Sequence, residues 1–163
     1  MNTAEAELDW VVFEADADSY TNSEIFAQLN EYGLPPEIIA KLHSLVDVKK
    51  DINNKEASVG KIILIRMIEF IRENTNLATC VAIGAVLSAI VSSVPVLGQI
   101  ISPITTPIIM IVMALYGRRL DRKENGENTL EFKNFNELFK DAVTIASMFM
   151  KAVTNTFSLL IKA

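Results

Sequence analysis

Few residues in this sequence have the type and spacing that catalysis or metal binding requires. His43 is the only histidine and lies in the helical pattern IIAKLHSLV, where we expect it on a polar face. Cys80, the only cysteine, lies in an apolar run, where a thiol stays protonated and unreactive. Without a second cysteine or histidine, a zinc site cannot be assembled. These two residues therefore predict neither a nucleophile nor a metal centre.

Other chemical motifs are equally weak. Asp16 and Asp18 form a carboxylate pair, but they lie in an acidic N-terminal segment in which such side chains are usually solvated. The chain has no phosphate-binding GxxxxGK[ST] loop and no dinucleotide-binding GxGxxG loop. We therefore expect no enzyme activity and no cofactor.

The strongest feature is a run without any charged residue, from Thr75 to Gly117. It divides into two apolar segments of 18 residues, 77–94 and 100–117. A membrane-spanning helix needs about 20 apolar residues. The run therefore predicts a transmembrane-type helical hairpin, with its turn marked by Pro95, Gly98, Pro103 and Pro107.

The prolines leave two conformations open for the second segment. A helix that starts at Pro103 and ends at Gly117 would be about 22 Å long, which is shorter than a hydrocarbon core of about 30 Å. Either the helix continues through the prolines with a kink, or 95–106 forms an irregular tip. Such a tip must be covered by protein or water, which would favour a homo-oligomer.

Basic residues flank the uncharged run on both sides. A membrane-flanking basic cluster follows it, and Arg66 and Arg72 precede it. By the positive-inside rule, this predicts a protein of the cell (inner) membrane with both termini in the cytoplasm. The nine acidic residues before Lys41 argue against nucleic acid as a partner. The basic cluster consists of Arg118, Arg119, Arg122 and Lys123.

Small residues recur at every fourth position of the first segment. They are Cys80, Gly84, Ser88 and Ser92. This spacing places them on one face of a helix, where small side chains let another helix approach closely. We predict a helix-packing face, either within the chain or between copies.

The remaining segments predict an all-α fold in four parts. An acidic N-terminal region, 1–56, contains an apolar knot at 8–13 that is strand or helix, and a short helical hairpin from helices near 21–32 and 34–47. A long apolar helix begins near Ser58 and leads into the central hydrophobic hairpin, so that 57–117 forms one unit. A charged connector, 118–134, precedes an amphipathic C-terminal helix, 135–163, with an apolar seam.

Three functions fit this layout. The first is a small membrane-inserted protein that oligomerises and permeabilises or perturbs a bilayer, and its plan resembles that of two-span holin-like proteins. The second is a membrane-anchored adaptor that binds a cytoplasmic protein through residues 1–56. The third is a soluble helical bundle with a buried apolar hairpin, an architecture similar to that of colicin-type toxins.

Overall fold

The computed structural model describes the backbone of residues 2–121 and 128–161, and the side chains of 2–115 and 135–161. Helices dominate these ranges, so the predicted all-α class is confirmed. The elements in chain order are α1 (Thr3–Asp18), α2 (Asn22–Glu31), α3 (Pro36–Val46), β1 (Lys50–Ile52), β2 (Lys55–Ala57), α4 (Val59–Glu73), α5 (Thr79–Ser93), α6 (Pro95–Asp121), α7 (Asn128–Phe149) and α8 (Lys151–Leu160).

Local sequence explains where the N-terminal helices begin. Asn2 and Glu5 form a reciprocal capping box at the start of α1, with the Glu5 N–H donating to the Asn2 side chain at 2.8 Å. The Thr21 hydroxyl accepts the Glu24 N–H at the start of α2. Gly33, which follows α2, has φ +67°, the left-handed conformation expected of a glycine after a helix.

A short β-hairpin occupies the polar segment between α3 and α4. β1 and β2 pair antiparallel, with Ile52 opposite Lys55. Asn53 and Asn54 form the two-residue turn, and both have positive φ. Asparagine tolerates this conformation, which two-residue hairpin turns of type I′ require.

The long apolar helix does not run into the uncharged segment. α4 ends at Glu73, because Asn74 leaves the helical conformation, with φ −125° and ψ 58°, and its side-chain amide donates to the Phe70 carbonyl at 2.9 Å. The next helix, α5, begins only at Thr79. It has 15 residues, or about 22 Å of helix, instead of the predicted 18.

The predicted turn at 95–99 is wrong, because Pro95, Gly98, Pro103 and Pro107 all lie within α6. The break between α5 and α6 is the single residue Val94. Proline is both a turn residue and a favoured first residue of a helix, since its missing N–H has no intrahelical partner there. Here Pro95 starts a helix of 27 residues.

The single C-terminal helix predicted over 135–163 is also wrong. α7 begins earlier, within the predicted connector, and α7 and α8 meet at Met150 with a bend of 65°. The bend lets the two helices pack on different neighbours: α7 lies along α5, and α8 lies along α1, where Phe157 contacts Trp10.

Candidate functional site

The centre of the molecule is α5, which is enclosed by other helices of the same chain. Helix α5 packs against α4, α6, α7 and α8. Every residue from Val81 to Leu87 is buried, and so are Ala89 and Ile90. Nearly its whole circumference is therefore removed from water, as expected for a helix that is apolar all round.

The next helix, α6, has two different faces. Its inner face packs against α5, α3 and α7 through Leu97, Ile101, Ile108 and Val112, all fully buried. Its outer face is exposed and consists of Ile100, Pro103, Thr106 and Met110. No charged residue occurs between Pro95 and Gly117, so this exposed surface is uncharged along its length.

The corner between α5 and α6 depends on a glycine. The Gly98 N–H donates to the Val94 carbonyl at 2.7 Å. A Cβ atom at Gly98 would lie 2.7 Å from the Val91 carbonyl oxygen, which is closer than a carbon atom is tolerated. Gly98 therefore permits the close approach of two helices that only one residue separates.

The two internal prolines of α6 lie toward the outside of the bundle. Pro103 is exposed and Pro107 is half-buried. Each removes one backbone hydrogen bond from the helix, and the residues four positions earlier, Gln99 and Pro103, are both exposed. The Ser102 hydroxyl donates to the Gly98 carbonyl at 2.6 Å, within the same stretch.

One buried polar atom on the inner side of α6 lacks a partner. The Thr105 hydroxyl oxygen is the buried side-chain polar atom, among the residues described, that has no hydrogen-bond partner. A buried hydroxyl without a partner costs about 1–3 kcal/mol. The inner packing of α6 is therefore less favourable than its apolar side chains alone would indicate.

The predicted helix-packing face approaches α7 of the same chain at Gly84. A Cβ atom at Gly84 would lie 3.2 Å from Phe139 Cε2, so the glycine lets that ring approach α5. Cys80 and Ser88 are half-buried, whereas Ser92 is exposed and its hydroxyl donates to the Ser88 and Ala89 carbonyls. The prediction that these four residues form one packing face therefore stays a prediction, with Gly84 as the position where a close approach is described.

The structure describes only the backbone of part of the basic cluster. Arg118 and Arg119 belong to the last turns of α6, in the part where only the backbone is described. Arg122 and Lys123 lie outside the described residues. The cluster nevertheless follows directly on the uncharged outer face of α6 along the chain.

The residues considered for chemistry have ordinary surroundings. His43 stacks on Phe26, with ring centroids 3.6 Å apart. Asp16 forms an ion pair with Arg66 at 3.7 Å, and Arg66 also pairs with Glu69, three residues along α4, at 3.0 Å. Within 2–121 and 128–161, the side chains described include no group of three His, Cys, Asp or Glu residues that could hold a metal ion.

By length and composition, one helix in the described part of the chain could cross a membrane. It is Pro95–Leu115, and 39% of its most apolar 18 residues are buried in the bundle. The pair α7 and α8 passes the same test only if the two bent helices are taken as one span, and α5 is too short. No protein family matches this sequence, and no curated protein or solved structure matches it either.

Proposed function

We propose that this protein is a helical membrane effector that encloses α5 within a water-stable bundle and binds a bilayer through the outer face of α6. The α5–α6 pair then inserts, with the uncharged residues 75–78 extending α5 to about 28 Å, and copies assemble to permeabilise the membrane. The observation that carries this proposal is the contrast between an enclosed apolar helix and an adjoining uncharged helix that is exposed along one side. The proposal combines the first and third functions that the sequence indicates.

The dimensions of α6 support its role as the first contact. The 21 residues of Pro95–Leu115 span about 31 Å as a helix, which matches a hydrocarbon core of about 30 Å. Met110 is 66% exposed, so an apolar side chain is available to a bilayer without any rearrangement. The two arginines that follow would lie at the headgroups on the cytoplasmic side, with both termini in the cytoplasm.

Insertion of α5 requires a larger change. Its buried side chains must leave their contacts with α4, α7 and α8 before lipid can replace them. Opening a folded domain costs several kcal/mol, so binding and insertion are separate steps. Trp10, the only tryptophan, is buried against Phe157 and therefore reports whether α1 and α8 separate.

A matched pair of labels tests the first contact. Cys80→Ser removes the native thiol, and Met110→Cys or Met148→Cys then adds one exposed thiol for an environment-sensitive nitrobenzoxadiazole dye. Met148 is the control, because it is 74% exposed but lies on α7. On vesicles of phosphatidylcholine and phosphatidylglycerol, we expect increased emission at position 110 and little change at position 148. Equal responses at both positions, or none at either, would contradict binding through α6.

Release of a dye trapped in the same vesicles tests permeabilisation. The unlabelled protein should cause release, and Met110→Glu should reduce it because a carboxylate on the outer face opposes entry into lipid. Met148→Glu should leave it unchanged. Binding without any release would instead favour the membrane-anchored adaptor.

A further inference from the structure

α1 has two apolar faces, of which only one is used inside the molecule. The inner face, formed by Ala6, Trp10, Phe13 and Ala17, is buried. The outer face of α1 consists of Ala4, Leu8, Val11, Val12 and Ala15, all exposed. Leu8, Val11 and Val12 have 70%, 63% and 57% of their surface accessible, and no described part of the chain covers them. Residues 8–13 form one apolar stretch in the sequence, but in α1 the helical spacing divides them between the two faces.

Acidic side chains border this outer face on both sides. At 100° per residue, three carboxylates fall along one edge and three along the other. α1 itself contains no lysine or arginine, and the ion pair described for these carboxylates joins Asp16 to Arg66 of α4. The first edge carries Glu7, Glu14 and Asp18, and the second carries Glu5, Asp9 and Asp16.

The surface is fixed in place by contacts on the opposite side of α1. Trp10 packs against Phe157 of α8, with ring centroids 6.3 Å apart. Arg66 of α4 lies 4.7 Å from the centroid of the Phe13 ring and pairs with Asp16. A partner therefore meets a preformed helix, and little ordering entropy is lost on binding.

We propose that the outer face of α1 is a docking surface for an amphipathic helix whose apolar stripe is bordered by lysine or arginine on both sides. An apolar stripe at helical spacing is the pattern by which one helix packs on another. The acidic edges select a basic partner, because like charges across such an interface are unfavourable. This inference is independent of the proposed membrane function.

The acidic edges disfavour two other partners for this face, a second copy of the chain and an anionic bilayer. Two copies of α1 facing each other would bring against each other the five carboxylates of each copy that remain when Asp16 is paired with Arg66, which opposes pairing of this face with itself. An anionic bilayer would be repelled in the same way. A basic helix, by contrast, gains ion pairs at both edges while it covers the apolar centre. From Ala4 to Ala15 the stripe is about 17 Å long, so the partner contributes about three turns.

A designed peptide provides the probe. It has about 18 residues, with leucine along one helical face and lysine on both flanks, and a second peptide has glutamate in place of lysine. Titration calorimetry on the full chain should show binding of the lysine peptide and none of the glutamate peptide. The affinity should fall as salt is added, because the ion pairs at the edges are exposed.

Matched variants distinguish this surface from general attraction to an acidic protein. Leu8→Ser with Val12→Ser should weaken binding about tenfold, as expected for central apolar contacts. Ile145→Ser with Met148→Ser, which removes two exposed apolar side chains from α7, should have no effect. Glu7→Gln with Glu14→Gln should weaken binding and reduce its salt dependence, whereas the exposed pair Glu31→Gln with Glu37→Gln should do so far less. All substituted side chains are exposed, and circular dichroism checks that each variant folds.

Several results would overturn the proposal. Equal loss of affinity in the α1 variants and in their controls would mean that the peptide binds by net charge alone. If the chain self-associates and the variant Leu8→Ser with Val12→Ser does not, the occupant of this face is a second copy of the chain. Loss of vesicle binding in the same variant would identify a bilayer instead.

Discussion

The two central helices have the same kind of sequence and different surroundings. α5 and α6 are adjacent in the chain, and neither carries a charged residue before Gly117. α5 is enclosed on nearly all sides, whereas α6 buries one face and exposes the other. The absence of charge therefore does not decide the environment of a helix; what decides it is how many neighbours the fold places around it.

The largest expected effect comes from placing a charge near the middle of each helix. Leu87→Lys places an ammonium group at a fully buried position of α5, and we expect a loss of stability of about 5 kcal/mol or more, enough to unfold the bundle. Met110→Lys on α6 should change the free energy of unfolding by less than about 0.5 kcal/mol, because the side chain is exposed. Urea unfolding followed by Trp10 fluorescence measures both. A stable Leu87→Lys protein would mean that α5 is not enclosed.

The second test concerns the corner that joins the two helices. Gly98→Ala forces a Cβ atom against the Val91 carbonyl oxygen, and because backbone cannot easily move we expect a loss of about 1–3 kcal/mol. Gly84→Ala is the matched control. Its new Cβ meets the edge of the Phe139 ring, which can turn aside, and alanine gains up to about 1 kcal/mol in helix propensity. Equal unfolding midpoints for the two variants would show that the corner is looser than described.

Some of this architecture could be predicted from the sequence. The uncharged run locates both central helices, and the helix predicted to begin near Ser58 begins at Val59. The bend at Met150 could not be predicted, since apolar residues continue at helical spacing from Ala146 through Phe149 to Val153 without a glycine or proline. The bend depends on where α1 and α5 lie, which is tertiary information.

In the candidate site, too, the sequence indicates which residues share a face but not what they contact. Spacing alone identifies a small-residue face on α5, but the contact between Gly84 and Phe139 follows from the position of α7. The β-hairpin, in contrast, could have been recognised. Two asparagines separate the two short strands, and asparagine is one of the few residues other than glycine that tolerate the positive φ of such a turn.

The smallest predicted effect is an increase in stability, and it distinguishes the two faces of α6. Thr105→Val replaces a buried hydroxyl that has no partner with a methyl group of similar size, so we expect a gain of about 1 kcal/mol in the free energy of unfolding. Thr106→Val makes the same change at the next residue, which is exposed, and should alter stability by a few tenths of a kcal/mol. Urea titrations of both variants beside the unsubstituted chain measure the difference. A loss of stability in Thr105→Val would show that its hydroxyl is hydrogen-bonded, and the inner face of α6 would then be packed as well as the circumference of α5.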